Sequence, residues 1–155
     1  MKIELSGTGT NITFQSPDNE RILYAGLKSS PELPYECATG TCGSCKAKCI
    51  EGSFEWAWSE APARKNLKNA DELLMCQCIA TSNLKLEVKS KLVKSALPFS
   101  SATWMDGEIK SFKNLAPGVM SLSIKLQHEI CFLPGQFMVI EFSDVQGGRA
   151  WHYYR

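Results

Sequence analysis

Three cysteines, Cys37, Cys42 and Cys45, lie in the nine-residue stretch CATGTCGSC with four and then two residues between them. A further cysteine, Cys76, follows far downstream in LLMCQC, two residues before Cys78. A C-x4-C-x2-C run with a distant fourth cysteine is the ligand spacing of a plant-type 2Fe–2S cluster. The residues between the cysteines are small: Gly40 and Thr41 before Cys42, then Gly43 and Ser44 before Cys45. A loop wrapped round a compact inorganic core needs unusual backbone angles and close approach, which glycine permits. Its amide N–H groups can then face the sulfurs and stabilise their negative charge.

Other metal chemistries fit this spacing less well. Zinc prefers two C-x2-C pairs; only Cys42–Cys45 forms one, and Cys76-x-Cys78 is a poor second. A zinc-stabilised binding module is therefore the rival reading. Rieske-type ligation needs histidines near the cysteines, and the two histidines, His128 and His152, both stand far downstream. Spacing leaves Cys76 and Cys78 both open as fourth ligand, because two residues apart on an extended backbone they would face the same way. Cys49 sits among alternating neighbours and reads as a buried apolar thiol, as does Cys131. Seven cysteines is an odd number, which argues against a fully paired disulfide framework and for metal ligation in a reducing compartment.

The charge balance, 17 basic against 16 acidic residues, argues against bulk nucleic-acid binding. The opening MKIELSGTGT lacks the apolar segment of a signal peptide. The longest apolar run, CFLPGQFMVI, is too short to span a bilayer. A cytoplasmic protein with no membrane partner is expected.

Periodicity supplies the scaffold. Ile3 and Leu5, then Asn11–Phe14, alternate about a Gly7-Thr8-Gly9 turn and predict a β-hairpin. A helix of about ten residues is expected next, started by Ser16 or Asp18 and stopped before Pro31, although Gly26 costs it roughly 1 kcal/mol. KAKCIEGSFEWAW reads as a strand that continues past Gly52. The stretch SEAPARKNLKNADE reads as loop with a short helix, and Leu84–Val88 as a last strand. A mixed sheet crossed by one helix, of α+β class, follows. Trp56 and Trp58 alternate in a strand-like run and read as core or half-buried packing, with a partner-docking surface near the cysteines as the alternative. Residues 91–102 look like a linker. Beyond it, Gly107–Phe112, Val119–Leu126 and Gln136–Phe142 read as three antiparallel strands, too few to close a barrel.

Residues 1–90 resemble the plant-type 2Fe–2S ferredoxin domain, a β-grasp fold, through CATGTCGSC and MCQ. Residues 103–155 resemble the first part of the FAD-binding barrel of the ferredoxin–NADP reductase superfamily, through LPGQFMVIEF and GRAWH. That order is the one found in reductase components of bacterial multicomponent oxygenases. The resemblance implies that Cys37, Cys42, Cys45 and Cys76 bind a 2Fe–2S cluster. It also implies that Arg149 meets the FAD pyrophosphate and Trp151 contacts the flavin, with His152 standing where a hydroxyl is usual. Electrons would pass one at a time from an NADH-reduced flavin module through the cluster to an oxygenase or hydroxylase component. A glycine-rich nicotinamide domain and the rest of the flavin barrel are missing from this sequence. The expectation is thus an incomplete antiparallel barrel, FAD binding only if the remainder is present, and no NADH oxidation by this chain alone. A stand-alone ferredoxin-like carrier with a degenerate tail is the alternative.

Overall fold

The computed structural model describes residues 1–29, 31–94, 102–130, 138–141 and 151–154. Alternation builds its first hairpin: β1 (Lys2–Thr8) pairs antiparallel with β2 (Asn11–Gln15), Lys2 opposite Gln15 and Ser6 opposite Asn11. Ile3, Leu5, Ile12 and Phe14 face inward and are buried. Gly9, with φ of 99°, makes the turn.

The helix is shorter than expected. Helix α1 spans Ile22–Lys28, and its N-cap residue is Arg21, without a side-chain cap. Ser16 is committed elsewhere: its N–H donates to the Met1 carbonyl (2.8 Å), and the Met1 ammonium donates to the Ser16 carbonyl (2.7 Å). That exchange extends the hairpin ladder and keeps residues 16–20 out of the helix. Gly26 has a packing reason, since a Cβ there would lie 2.3 Å from Leu33 Cδ1.

The chain then forms β3 (Pro31–Glu32), the cysteine loop, β4 (Lys46–Glu51), β5 (Phe54–Trp56), a 3-10 turn (Pro62–Asn66), β6 (Glu72–Leu74), β7 (Cys78–Ala80), β8 (Leu84–Lys91) and β9 (Val93–Lys94). A five-stranded mixed sheet runs in the order β2-β1-β8-β4-β6, with β1 and β8 parallel and the other neighbours antiparallel. β3 pairs with β9 and β5 with β7. Leu23 from α1, Leu73 from β6, and Leu84 and Leu86 from β8 meet Ile3 and Leu5 in one buried core. Burying each such side chain contributes roughly 1.5–3 kcal/mol. This α+β arrangement, a β-grasp sheet with one helix, matches the expected class. Strands β6, β7 and β9 lie where the sequence pattern predicts none. The expected linker begins inside paired strand, because Lys91 closes β8 and Val93–Lys94 pairs with β3; residues 95–101 lie outside the described residues.

By compactness the chain divides into Met1–Ala102 with Phe137–Arg155, and Thr103–Gln136. The second unit is a hairpin of β10 (Gly107–Ala116) and β11 (Val119–Leu126), closed at Pro117-Gly118 with Gly118 at φ 75°. The strands run further into the Asn114–Gly118 turn than the sequence suggests. Within the first unit, β12 (Met138–Glu141) pairs antiparallel with β13 (Trp151–Tyr154), and Val139 packs against the core. Among the described residues these antiparallel pairs stay open and close no barrel. The expected turn at Leu133-Pro134-Gly135, Cys131 and Arg149 lie outside the described residues. Trp151 and His152 are placed only as backbone of β13. Among the described residues no helix is long and apolar enough to cross a membrane.

Candidate metal centre

The loop from Cys37 to Cys45 joins β3 to β4 and is curled by three residues with positive φ: Ala38 (56°), Gly40 (82°) and Gly43 (84°). Gly40 could be nothing larger, since a Cβ there would stand 2.8 Å from Gln77 Cγ. The curl turns amides toward sulfur. Thr39 N–H and Cys42 N–H both donate to Cys37 Sγ at 3.4 Å, and Ser44 N–H donates to Cys42 Sγ at 3.4 Å. Burial alone would raise the Cys37 thiol, but the bonds from Thr39 and Cys42 outweigh it and bring it down to about 6.

Neighbouring elements brace the loop. The Tyr24 hydroxyl of α1 donates to the Ala38 carbonyl (2.8 Å, buried), and Ala63 N–H of the 3-10 turn donates to the Gly40 carbonyl (2.9 Å). At the rim the Ser44 hydroxyl donates to the Glu36 carboxylate (2.9 Å).

Cys76 comes to the loop from the other side. β4 and β6 pair from Lys46 opposite Leu74, and Met75 N–H donates to the Cys45 carbonyl at 3.1 Å. This brings Cys45 Sγ and Cys76 Sγ to 3.2 Å, both buried. Their shared hydrogen bond lowers Cys45 toward thiolate and, together with burial, raises Cys76. The backbone between Cys76 and Cys78 is not extended throughout, contrary to the expectation. Met75–Gln77 is a turn, with Gln77 N–H donating to the Leu74 carbonyl (2.8 Å). Cys78 lies beyond that turn in β7, opposite Trp56, and burial pushes its thiol up to about 12. Cys49 is half-buried on β4, and its thiol is likewise raised by burial.

The four thiols differ in access: Cys42 is exposed, Cys37 intermediate, Cys45 and Cys76 buried. Among the described residues no three His, Cys, Asp or Glu side chains gather as a single-ion site. A 2Fe–2S cluster takes four thiolates over two irons, so convergence on one point is not what it asks of a loop. What it does ask is present: thiols from one tight loop and one facing turn, backbone N–H groups on sulfur, and small residues where the backbone must come close. Gln77, adjacent to Cys76 and packed on Gly40, adds a fully buried side-chain amide whose Nε2 and Oε1 have no hydrogen-bond partner among the described residues. The residues present fit the cluster.

Trp56 is half-buried, edge-on to Phe54 (6.3 Å between centroids), with the Arg64 guanidinium 4.7 Å above its ring. Trp58 is the more open of the pair, at 36%. Sequence reasoning missed Tyr24 and the positive φ of Ala38. A tyrosine on a helix and an alanine in a loop carry no local signal of either role.

Residues 6–81 match the family described as a 2Fe-2S iron-sulfur cluster binding domain. The chain thus carries a plant-type 2Fe–2S ferredoxin domain, whose work is one-electron transfer. Along its length the chain is also homologous to reductases of oxygenase systems. It is 31% identical to the ferredoxin–NAD(P)(+) reductase CarAd of Metapseudomonas resinovorans, over 95% of this chain and 43% of that protein. It is 30% identical to the ferredoxin–NAD(+) reductase component of the alkene monooxygenase system of Xanthobacter autotrophicus, over 90% of this chain and 42% of that protein. Among solved structures, the ferredoxin reductase in carbazole 1,9a-dioxygenase superposes with a TM-score of 0.72 at 30% identity, covering 99% of this chain and 46% of that one. The chain therefore spans less than half the length of these relatives.

Proposed function

We propose that Cys37, Cys42, Cys45 and Cys76 hold the 2Fe–2S cluster and that the chain relays single electrons to an oxygenase or hydroxylase component. The observation that carries this reading is the buried approach of Cys45 and Cys76 beside a loop whose amides point at Cys37 and Cys42. The cluster supplies a one-electron couple, near roughly −400 mV in plant-type sites.

The chain's own residues set the conditions for that couple. N–H groups of Thr39, Cys42 and Ser44 place positive dipole ends on thiolate sulfur, which favours the more negative, reduced state. Buried Cys45 and Cys76 keep water from one side, and their fixed surroundings need little rearrangement when charge changes. Exposed Cys42, flanked by exposed Thr41 and Ser44, is the edge where a partner can come close. Trp58 and the 3-10 turn carrying Arg64 border that region through the Ala63–Gly40 bond and are the surface we assign to docking.

The donor in this reading is a flavin module reduced by NADH. In this reading residues 103–155 would be its first part, and Arg149 would take the FAD pyrophosphate and Trp151 the flavin when that group is bound. Residues 1–90 form the ferredoxin module, joined through 91–102. The reducing cytoplasm suits a chain with this many free thiols.

Anaerobic reconstitution with iron and sulfide tests the proposal. Two irons per chain, visible absorption and an EPR signal after dithionite are expected. Cys76→Ser abolishes them and Cys78→Ser does not. A colourless protein holding one zinc per chain would sink the reading, and the reverse cysteine result would reassign the fourth ligand.

A further inference from the structure

The first turn of α1 touches both segments that carry the proposed ligands. Leu23 N–H donates to the Met75 carbonyl at 2.9 Å, one residue before Cys76. Arg21 bridges to Ile79 on the far side of the same turn. Tyr24, in that helical turn, reaches the other way, and its hydroxyl donates to the Ala38 carbonyl at 2.8 Å. Ala38 is the only residue of the Cys37–Cys45 loop that holds a positive φ (56°) without being glycine. An alanine in that region costs of order 1 kcal/mol or more and persists only where its surroundings hold it there. The bond from Tyr24 is one such restraint. Its effect is directional, because the flip at Ala38 is what sends the next amide, Thr39 N–H, back onto Cys37 Sγ, with Cys42 N–H beside it.

From this geometry we infer that Tyr24 is a positioning residue of the metal centre, its hydroxyl pinning Ala38 so that Thr39 and Cys42 amides remain on the Cys37 sulfur and tune the cluster's potential. The inference rests on the cluster reading above and adds a residue that neither the cysteine spacing nor any loop motif contains. Ring and hydroxyl separate cleanly. The Tyr24 ring is buried among core residues and carries the Arg21 guanidinium 5.7 Å from its centroid. Only the hydroxyl makes the bond to Ala38. Without it the Ala38 carbonyl relaxes, the amides withdraw from Cys37, and the reduced state, which carries the extra negative charge, loses most.

The test is Tyr24→Phe in the reconstituted full chain. Iron content should match wild type while the midpoint potential moves to more negative values. The expected size is a fivefold to tenfold fall in the equilibrium constant for one-electron reduction, about 59 mV at the tenfold end, with altered EPR g-values. Leu5→Ala, which empties a buried position on β1, should lower the melting temperature and leave the potential in place, so destabilisation alone does not give the shift. Loss of the cluster from Tyr24→Phe, with a cluster-free fold that melts as wild type does, would be the stronger form of the same result. A loaded Tyr24→Phe protein with unchanged potential and EPR would overturn the positioning role and leave the cluster reading intact. A wild-type chain that takes up no iron would overturn both.

Discussion

At Gly40 two constraints coincide, a φ of 82° and Gln77 Cγ only 2.8 Å from the place a Cβ would occupy. Either alone disfavours a side chain; together they make Gly40→Ala a substitution with nowhere to relax. Backbone strain of about 1–3 kcal/mol adds to an overpacking cost of similar size. Cluster occupancy, read as iron per chain, should fall well below wild type in that variant. The cysteines differ in the same local way. In the reduced, cluster-free chain, Cys37 alkylation by iodoacetamide should rise through a midpoint near pH 6, because hydrogen bonds from Thr39 and Cys42 favour its thiolate over the opposing effect of burial. Cys78 should stay unreactive across the neutral range, since burial, reinforced by the nearby Cys45 sulfur, outweighs the Leu74 backbone bond and raises its thiol to about 12. Peptide-resolved mass spectrometry over a pH series distinguishes the two. The residue types that mark this site, cysteines and glycines at fixed intervals, were legible without coordinates because metal ligation and left-handed backbone each admit few side chains. Tyr24 was not, since its role depends on where a helix puts a hydroxyl.

At the scale of elements, α1 shows a propensity rule losing to packing. Glycine inside a helix costs about 1 kcal/mol relative to alanine, so Gly26→Ala should stabilise an isolated helix. Here the added Cβ would meet Leu33 Cδ1 at 2.3 Å and Phe14 Cζ at 3.1 Å. Displacing those side chains from a filled core costs about 1–3 kcal/mol, so Gly26→Ala is expected to lower stability in urea unfolding. Leu23→Ala, which empties a position with 0% exposure, should cost about 2–5 kcal/mol. The hairpin and β8 could be read from alternation because one face of each is wet. β6 and β7 could not, since LLMCQCIA is buried almost throughout and offers no polar partner positions from which to take a period. The late start of α1 also lay beyond a local reading. Ser16 has the chemistry of a helix cap, and what removes it from that role is pairing with Met1, fifteen residues away.

For the whole molecule, the proposed ligands tie the β3–β4 loop to the β6–β7 turn, positions 31 residues apart. A group that binds only the folded state stabilises by mass action, and a tie across a loop of this length also removes freedom from the unfolded chain. Stripping iron with a chelator under reducing conditions should therefore lower the melting temperature by at least about 5 °C, the shift that roughly 1 kcal/mol produces in a unit of this size. The fold class was legible because a ferredoxin-type sheet is announced by the cysteine spacing of its loop. The later chain was less so. Strands β10 and β11 were readable from alternation, yet β13 had no signal, and pairing between distant short strands depends on neighbours that a local pattern does not contain.

The parallel pairing of β1 with β8 also dictates an order of events during synthesis. Ile3 lies beside Leu84 and Leu5 beside Leu86, so the central pair of the sheet cannot form until its last long strand has been made. Contacts this far apart in sequence delay folding as well. The Cys37–Cys45 loop therefore emerges from the ribosome well before the framework that will brace it. For that interval its thiols are as open to oxidants and stray metals as those of any unfolded chain.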